Sequence, residues 1–230
     1  MTLVWKPGYN GTPGKMTLAQ GWIITGEQKY PAVIGEPFGG GYFAGYISHT
    51  ADGNPTHALI VAPRATGQQA GLSWKTTNTA TAGTGSLFDG AANTAAMVAA
   101  GITDHPAAQF CKNLNIGGYT DWYLPAHLEN QIAYFNLKPT TASNNTNTGI
   151  NAYAVPPLSR NYTLNYPIQT SVDLFKAGGS ESFTTTFFWA STEGSSTNAY
   201  SMEFATGLSY SFIQKSRTDI NVRAFRRIAL

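Results

Sequence analysis

Gly118-Tyr119-Thr120-Asp121-Trp122-Tyr123-Leu124-Pro125-Ala126 runs directly into His127-Leu128-Glu129-Asn130-Gln131-Ile132-Ala133-Tyr134-Phe135-Asn136-Leu137. The second half of this stretch decides the fold class. Pro125 suits a first helical turn, where the missing N–H would have had no partner. Leu128, Ile132 and Phe135 recur at i, i+4 and i+7, which predicts a helix from about Pro125 to Leu137. Pro139 stops it. Two more helices are expected upstream. One begins at Asp89, whose carboxylate suits an N-cap, and crosses an alanine-rich run to Ala100, with Gly101 behind it. The other spans about Pro106 to Leu114, ahead of Gly117-Gly118.

Strand signals flank these helices. Tyr42–Ile47 and Ala58–Ala62 read as a hairpin around the turn residues Asp52-Gly53-Asn54-Pro55. Gly39-Gly40-Gly41 precedes no helix and reads as a strand-edge turn. Residues 138–170 are rich in Asn, Thr and Pro without a period, so a long loop over about 138–183 is expected. Thr184–Ala190, Ala199–Ala205, Leu208–Gln214 and Val222–Ile228 are four short strand candidates, with Thr206-Gly207 as a tight hairpin turn. The order is strands, helices, loop, strands. That is α+β, not a βαβ alternation. Residues 31–230 are expected to form one domain. Residues 1–30, with a short strand at Gly21–Thr25, read as an arm for attachment or oligomer contacts, because so short a piece cannot close a core.

Composition narrows the function. Of 230 residues only 11% are charged, against about 25% on average. The net charge of +2 argues against nucleic acid or an anionic membrane as partner. The lone Cys111 excludes an intrachain disulfide and a cysteine-pair metal or redox centre, and reads as a small buried hydrophobe. No secretory signal and no membrane-length apolar run is visible. His49, His57, His105 and His127 show no ligand spacing, so no metal is expected. Asp121, Glu129, Glu181 and Glu193 form no paired-carboxylate pattern, and Arg223, Arg226 and Arg227 read as a solvated or salt-bridged end. Nothing selects a reaction. The expectation is a protein with no cofactor and no enzymatic activity.

The C-terminal segment is more informative. Phe187, Phe188, Trp189, Tyr200, Phe204, Tyr210, Phe212 and Phe225 are interleaved with Ser, Thr and Asn. Such mixtures make adaptable binding surfaces, since rings give contact area and short polar groups give hydrogen bonds. On a period-2 strand Tyr200, Met202 and Phe204 share one face, and Ser201 and Glu203 the other. Core packing is expected for Phe187, Trp189, Phe204 and Phe225. For Tyr200, Tyr210 and Phe212, exposure and burial both stand open.

The motif at Gly118–Ala126, with Glu129 on the following helix, resembles the Lcl-type C-terminal domain family, long known as a domain of unknown function. Phe188-Trp189-Ala190-Ser191-Thr192-Glu193, Phe204-Ala205-Thr206-Gly207 and Val222-Arg223-Ala224-Phe225-Arg226-Arg227 follow in the family's order. The likeness spans roughly 105–228 and is closest to versions in bacteriophage virion and tail-fibre proteins. It implies a C-type-lectin-like fold, with helices packed on a twisted, mostly antiparallel sheet. Trp122 and Leu124 would enter the core as a strand, with Trp189 as a second anchor and Phe204 beside them. The same fold carries the variable proteins of diversity-generating retroelements, and segment 195–217 would be the variable surface. The calcium and sugar motifs of true C-type lectins are absent, and so is the cysteine chemistry of formylglycine-generating enzymes.

The resemblance therefore implies a tail-fibre or baseplate adhesin, located on the virion, that recognises a bacterial surface glycan or protein. Its face would lie in 184–230, with Ser195, Asn198, Tyr200, Ser209, Tyr210, Ser211, Phe212, Ser216 and Arg217 as ligand-binding residues. Partners would be other virion subunits, in a homotrimer, with no nucleic acid and no membrane insertion. The alternative is a structural virion subunit, such as a decoration or baseplate component, without a receptor.

Overall fold

The computed structural model describes residues 22–25 and 28–230. In chain order the strands are β1 (Trp22–Thr25), β2 (Gln28–Pro31), β3 (Pro37–Phe38), β4 (Gly41–Ile47), β5 (His57–Val61), β6 (Gln68–Gln69), β7 (Ala154–Val155), β8 (Phe187–Glu193), β9 (Asn198–Glu203), β10 (Ser209–Gln214), β11 (Val222–Arg223) and β12 (Phe225–Ala229). The helices are the single turn α1 (Arg64–Gly67), then α2 (Gly90–Gly101), α3 (Pro106–Lys112) and α4 (His127–Leu137). The fold is α+β, with a curled antiparallel sheet and few helices. Most of the arm expected over residues 1–30 lies outside the described residues. Within it, β1 pairs antiparallel with β2.

One sheet runs β12-β5-β4-β3, with β7 added beside β4, and a second runs β10-β9-β8. The expected hairpin around Asp52-Gly53 is β4–β5, with Tyr42 opposite Val61 and Ile47 opposite His57. The chain's C-terminal strand β12 closes the other side of β5. Between the sheets, residues 119–125 run extended without being a strand proper. Tyr123 exchanges both backbone hydrogen bonds with Phe225, at 2.8 and 2.9 Å. Pro125 offers its carbonyl to the Ser191 N–H at 2.7 Å. That use of the carbonyl explains why the helix starts later than expected: Ala126 is its cap residue, and helical structure begins at His127.

α4 packs on β4 on one side and on β8 and β9 on another. Its burial is therefore wider than the Leu128-Ile132-Phe135 stripe. His127 through Tyr134 and Leu137 are buried, while Phe135, expected on the buried face, is only half-buried. Several polar side chains of the helix are buried, and His127 Nδ1 and Gln131 Oε1 have no hydrogen-bond partner there. Asn130 donates to the Trp189 carbonyl at 3.2 Å, and Glu129 accepts from the Ala126 N–H at 2.7 Å. α2 behaves as expected, with Asp89 accepting from the Ala92 N–H at 2.8 Å and the helix ending at Gly101.

Trp122, Leu124, Trp189 and Phe204 are all fully buried. Each indole N–H is satisfied: Trp122 donates to the Tyr119 carbonyl at 3.0 Å and Trp189 to the Leu72 carbonyl at 2.7 Å. Cys111 lies in the same cluster as the two indoles, and burial pushes its thiol pKa up. Phe204 belongs to a second cluster with Tyr134, Phe183 and Phe188, stacked on Phe183 at 4.0 Å. The expected long loop is present over 138–183, broken by β7 and a 3-10 turn at Asp173–Phe175. It is held from inside by Lys138, whose ammonium donates to Ala142 O and Asn144 Oδ1 at 2.6 Å and to Pro167 O at 3.2 Å.

The run Val222–Ile228 is two strands, because Ala224 leaves the ladder to bond Ala62 and Gly67. All three arginines of this run are paired. Arg223 is 1% exposed and meets Glu181 at 2.9 Å; Arg226 meets Asp121 at 2.5 Å; Arg227 meets Asp89 at 2.7 Å. Burial lowers the Arg223 pKa to about 9, even with Glu181 beside it. Removing one member of such a pair strands the other without a partner. Arg223→Met is expected to lower unfolding free energy in urea by about 3–5 kcal/mol, and Arg223→Met with Glu181→Leu to recover part of it.

Candidate binding face

The three strands β8, β9 and β10 carry the C-terminal candidates. Trp189 and Tyr210 both stand opposite Ser201, and Phe187 opposite Glu203. Because side chains alternate along a strand, Tyr210, Ser201, Trp189, Glu203 and Phe187 share one face, and Tyr200 and Met202 share the other; Trp189 and Ser201 are fully buried on the first face, so only its margin is open. The second face is turned to α4. Met202 is fully buried there, and Tyr200 lies half-buried with its ring 4.8 Å from that of His127.

On the first face three rings form a ledge. Phe187 and Tyr210 stack with centroids 5.4 Å apart at 20°. Phe212 follows at 4.7 Å from Tyr210 and is 63% exposed. Phe187, expected in the core, is half-buried instead. β8 begins later than expected, at Phe187, so this ring falls at the sheet margin against the β10 edge strand. A register irregularity between Tyr210 and Ile213 sets the tilt of Phe212.

The remaining candidates divide into three places. Ser195 and Asn198 sit on the β8–β9 turn and satisfy each other: the Ser195 hydroxyl accepts from the Asn198 N–H at 3.1 Å and from its amide at 3.2 Å. Ser209 and Ser211 are half-buried on β10, and Ser209 Oγ is buried with no partner. Ser216 and Arg217 lie past β10. The Ser216 N–H donates to Asn78 Oδ1 at 3.0 Å, and Arg217 pairs with Asp219 in the open. The structure thus brings Tyr210 and Phe212 together, adds Phe187, and places Tyr200 on the reverse of the sheet.

Sequence reasoning missed the buried lysine that ties this sheet to the 75–81 loop. Lys215 follows β10 directly and is fully buried. Its ammonium meets Glu193 Oε1 at 2.7 Å, the Thr79 carbonyl at 2.9 Å, the Ser196 carbonyl at 3.0 Å and the Trp74 ring at 4.7 Å. It ties the ends of β8 and β10 and the 194–197 turn to the 75–81 loop. Burial lowers the Lys215 pKa. Burial also pushes on Glu193, but bonds from Lys215, Thr84 and the Thr81 N–H outweigh it and hold the carboxyl below its ordinary value. Gly194 makes the close approach possible, since a Cβ there would lie 2.0 Å from the Ser211 carbonyl oxygen. The alternating sequence signal carries no hint of a buried lysine at the end of an edge strand.

Three of the four histidines are held by internal contacts. His105 is buried between Thr81 and the Gly101 carbonyl, both at 2.9 Å. His49 and His57 stack at 4.4 Å beside Asp89 and Arg227, and burial lowers His57 to about 4. Among the described residues no group of three His, Cys, Asp or Glu side chains is placed to hold a metal ion. Among them, too, no helix is long and apolar enough to cross a membrane.

Glu129 has a visible pH signature. Complete burial raises its pKa to about 7, although the Ala126 N–H and the Tyr123 hydroxyl, at 2.8 Å, both favour the ionised form. The folded state therefore keeps a proton that the unfolded chain releases above its value of 4.5. Stability from this group is full below that pH and is lost as pH rises through 7, on the order of 3 kcal/mol in all. Glu129→Gln removes the titration, so its urea stability is expected to fall less between pH 5 and pH 8 than that of the parent chain. No protein-family model matches this chain, and no curated protein is found similar to it.

Proposed function

We propose that the chain is a non-enzymatic receptor-binding module of a bacteriophage tail fibre or baseplate, built on a C-type-lectin-like framework. The observation that carries the reading is the ledge of Phe187, Tyr210 and Phe212, with Phe212 63% exposed on a rigidly supported edge strand. Ring faces held this way suit stacking on a sugar or capping of an apolar protein side chain. Ser195 and Asn198 on the β8–β9 connection supply further short hydrogen-bonding groups at low entropic cost.

The motif residues behind the resemblance support the same division of labour. Asp121, Trp122, Glu129, Trp189, Glu193, Arg223 and Arg226 are all engaged in packing or in internal bonds. They build the framework, which leaves recognition to the C-terminal strands. One shallow face of this size binds weakly alone, so display on the virion as a homotrimer would supply avidity. In the alternative role, as a decoration or baseplate subunit, the free edge of β10 would instead pair with a neighbouring subunit.

The test uses labelled full-length chain on a panel of bacterial cells and on a glycan array. Tyr210→Ala and Phe212→Ala are each expected to weaken binding about tenfold or more, with an unchanged circular dichroism spectrum. Tyr200→Ala, on the reverse face, is expected to do less. Binding that all three variants retain in full contradicts the proposed face.

A further inference from the structure

Four ionisable side chains meet where three parts of the fold come together. His49 follows β4, His57 opens β5, Arg227 lies on β12 and Asp89 caps α2. All four are half-buried. The two imidazoles stack with centroids 4.4 Å apart, and the His49 ring meets Phe88 edge-on at 5.2 Å. Arg227 Nη1 donates to Asp89 Oδ1 at 2.7 Å and to His49 Nε2 at 3.3 Å, and His49 Nδ1 lies 3.8 Å from Asp89 Oδ2.

The bonds made by these groups require both rings to be neutral. A guanidinium only donates, so His49 Nε2 meets Arg227 with its lone pair, and the ring proton sits on Nδ1, toward Asp89. The Thr56 hydroxyl gives its hydrogen to the Ile47 carbonyl at 3.1 Å and accepts from the His49 N–H at 3.0 Å. It can therefore only accept from His57 Nδ1, at 2.9 Å, which leaves the His57 lone pair on Nε2. A proton arriving at His49 lands on the nitrogen that Arg227 occupies. It turns an acceptor into a donor and sets two cations against each other, and a proton on His57 adds a third.

We propose that this cluster is an acid-sensitive latch. Closed, it ties the end of the β4–β5 hairpin to β12 and to the first turn of α2. Proton uptake breaks the His49–Arg227 bond and sets His49 in competition with Arg227 for Asp89, the carboxylate that caps α2 through the Ala92 N–H. The other ionisable groups nearby do not offset the added charge. Tyr123 and Glu129 face Arg227 and Asp89 from within, and Glu129, with a pKa of about 7, takes up its proton before the histidines do. Asp52, on the hairpin loop, is bonded to Asn54 and Ser48 and to neither ring. Burial and then Arg227 lower the His49 pKa; burial, then His49, then Arg227 lower that of His57 to about 4. Stability from the neutral pair is therefore full above the ordinary 6.5 and is lost as pH falls from there through the folded values, the reverse of the Glu129 contribution.

NMR on the full chain between pH 8 and pH 4.5 tests the latch. The carbon-bound ring protons of His49 and His57 are expected to titrate below 6.5. Over the same range the protection factors of the His49 and Ala92 amides, which correct for the intrinsic pH dependence of exchange, should fall on the order of tenfold. In the double variant His49→Gln with His57→Gln that fall should be absent. The proposal is overturned if either ring of the parent chain titrates at or above 6.5, if both amides keep their protection down to pH 4.5, or if the folded double variant loses protection as the parent does.

Discussion

The extended segment 119–125 is the constraint on which the rest depends. It is clamped along its length: Asp121 to Arg226, Tyr123 to Phe225 through the backbone, and Pro125 to Ser191. Each clamp joins the middle of the chain to its C-terminal third. Through them the two sheets and α4 are set at one separation. The Trp122 and Leu124 side chains fill the cluster that Trp189 closes from the other side. Loss of this segment would leave β12 without a partner on that side and α4 without its capped start. Its burial also dictates the ionisation of Glu129, which closes the first turn of α4 inside an apolar setting.

A second theme is the use of few charges, with most of the basic groups among the described residues inside or paired. Lys138, Lys215 and Arg223 are at most 2% exposed, and each is surrounded by carbonyl or carboxylate oxygens. Such groups add little net stability over apolar replacements. What they do is organise irregular chain. Lys138 gathers the 138–170 loop, Lys215 gathers the turns around β10, and Arg223 holds Glu181 and the Ala62 carbonyl. Each fixes a turn or loop against the body of the fold.

Much of the fold was legible in sequence for physical reasons. Turn residues fix hairpins, so Asp52-Gly53 and Thr206-Gly207 marked β4–β5 and β9–β10. Caps fix helices, so Asp89 and Gly101 bracketed α2. Large apolar residues in short strand candidates marked Trp189 and Phe204 as core, and the motif resemblance marked Trp122. The candidate face was legible only in part. Composition marked Tyr210 and Phe212, but the pairing register decided that Tyr200 faces α4, and register follows from turns and a bulge that composition does not encode. Trp74 and Lys215 were invisible because their partners, Ala190 and Glu193, lie more than a hundred residues from Trp74 and across a hairpin from Lys215.

The motif residues are consumed by a buried seam, and the ring ledge proposed for recognition lies at the margin of the β8–β10 sheet. Amide hydrogen exchange tests this division most directly. The account predicts that the N–H groups of Tyr123, Ser191 and Phe225 exchange only through global unfolding, while those of the outer strand around Tyr210–Phe212 exchange through local opening of lower free energy. Seam amides that exchange as fast as those of the outer strand would contradict it.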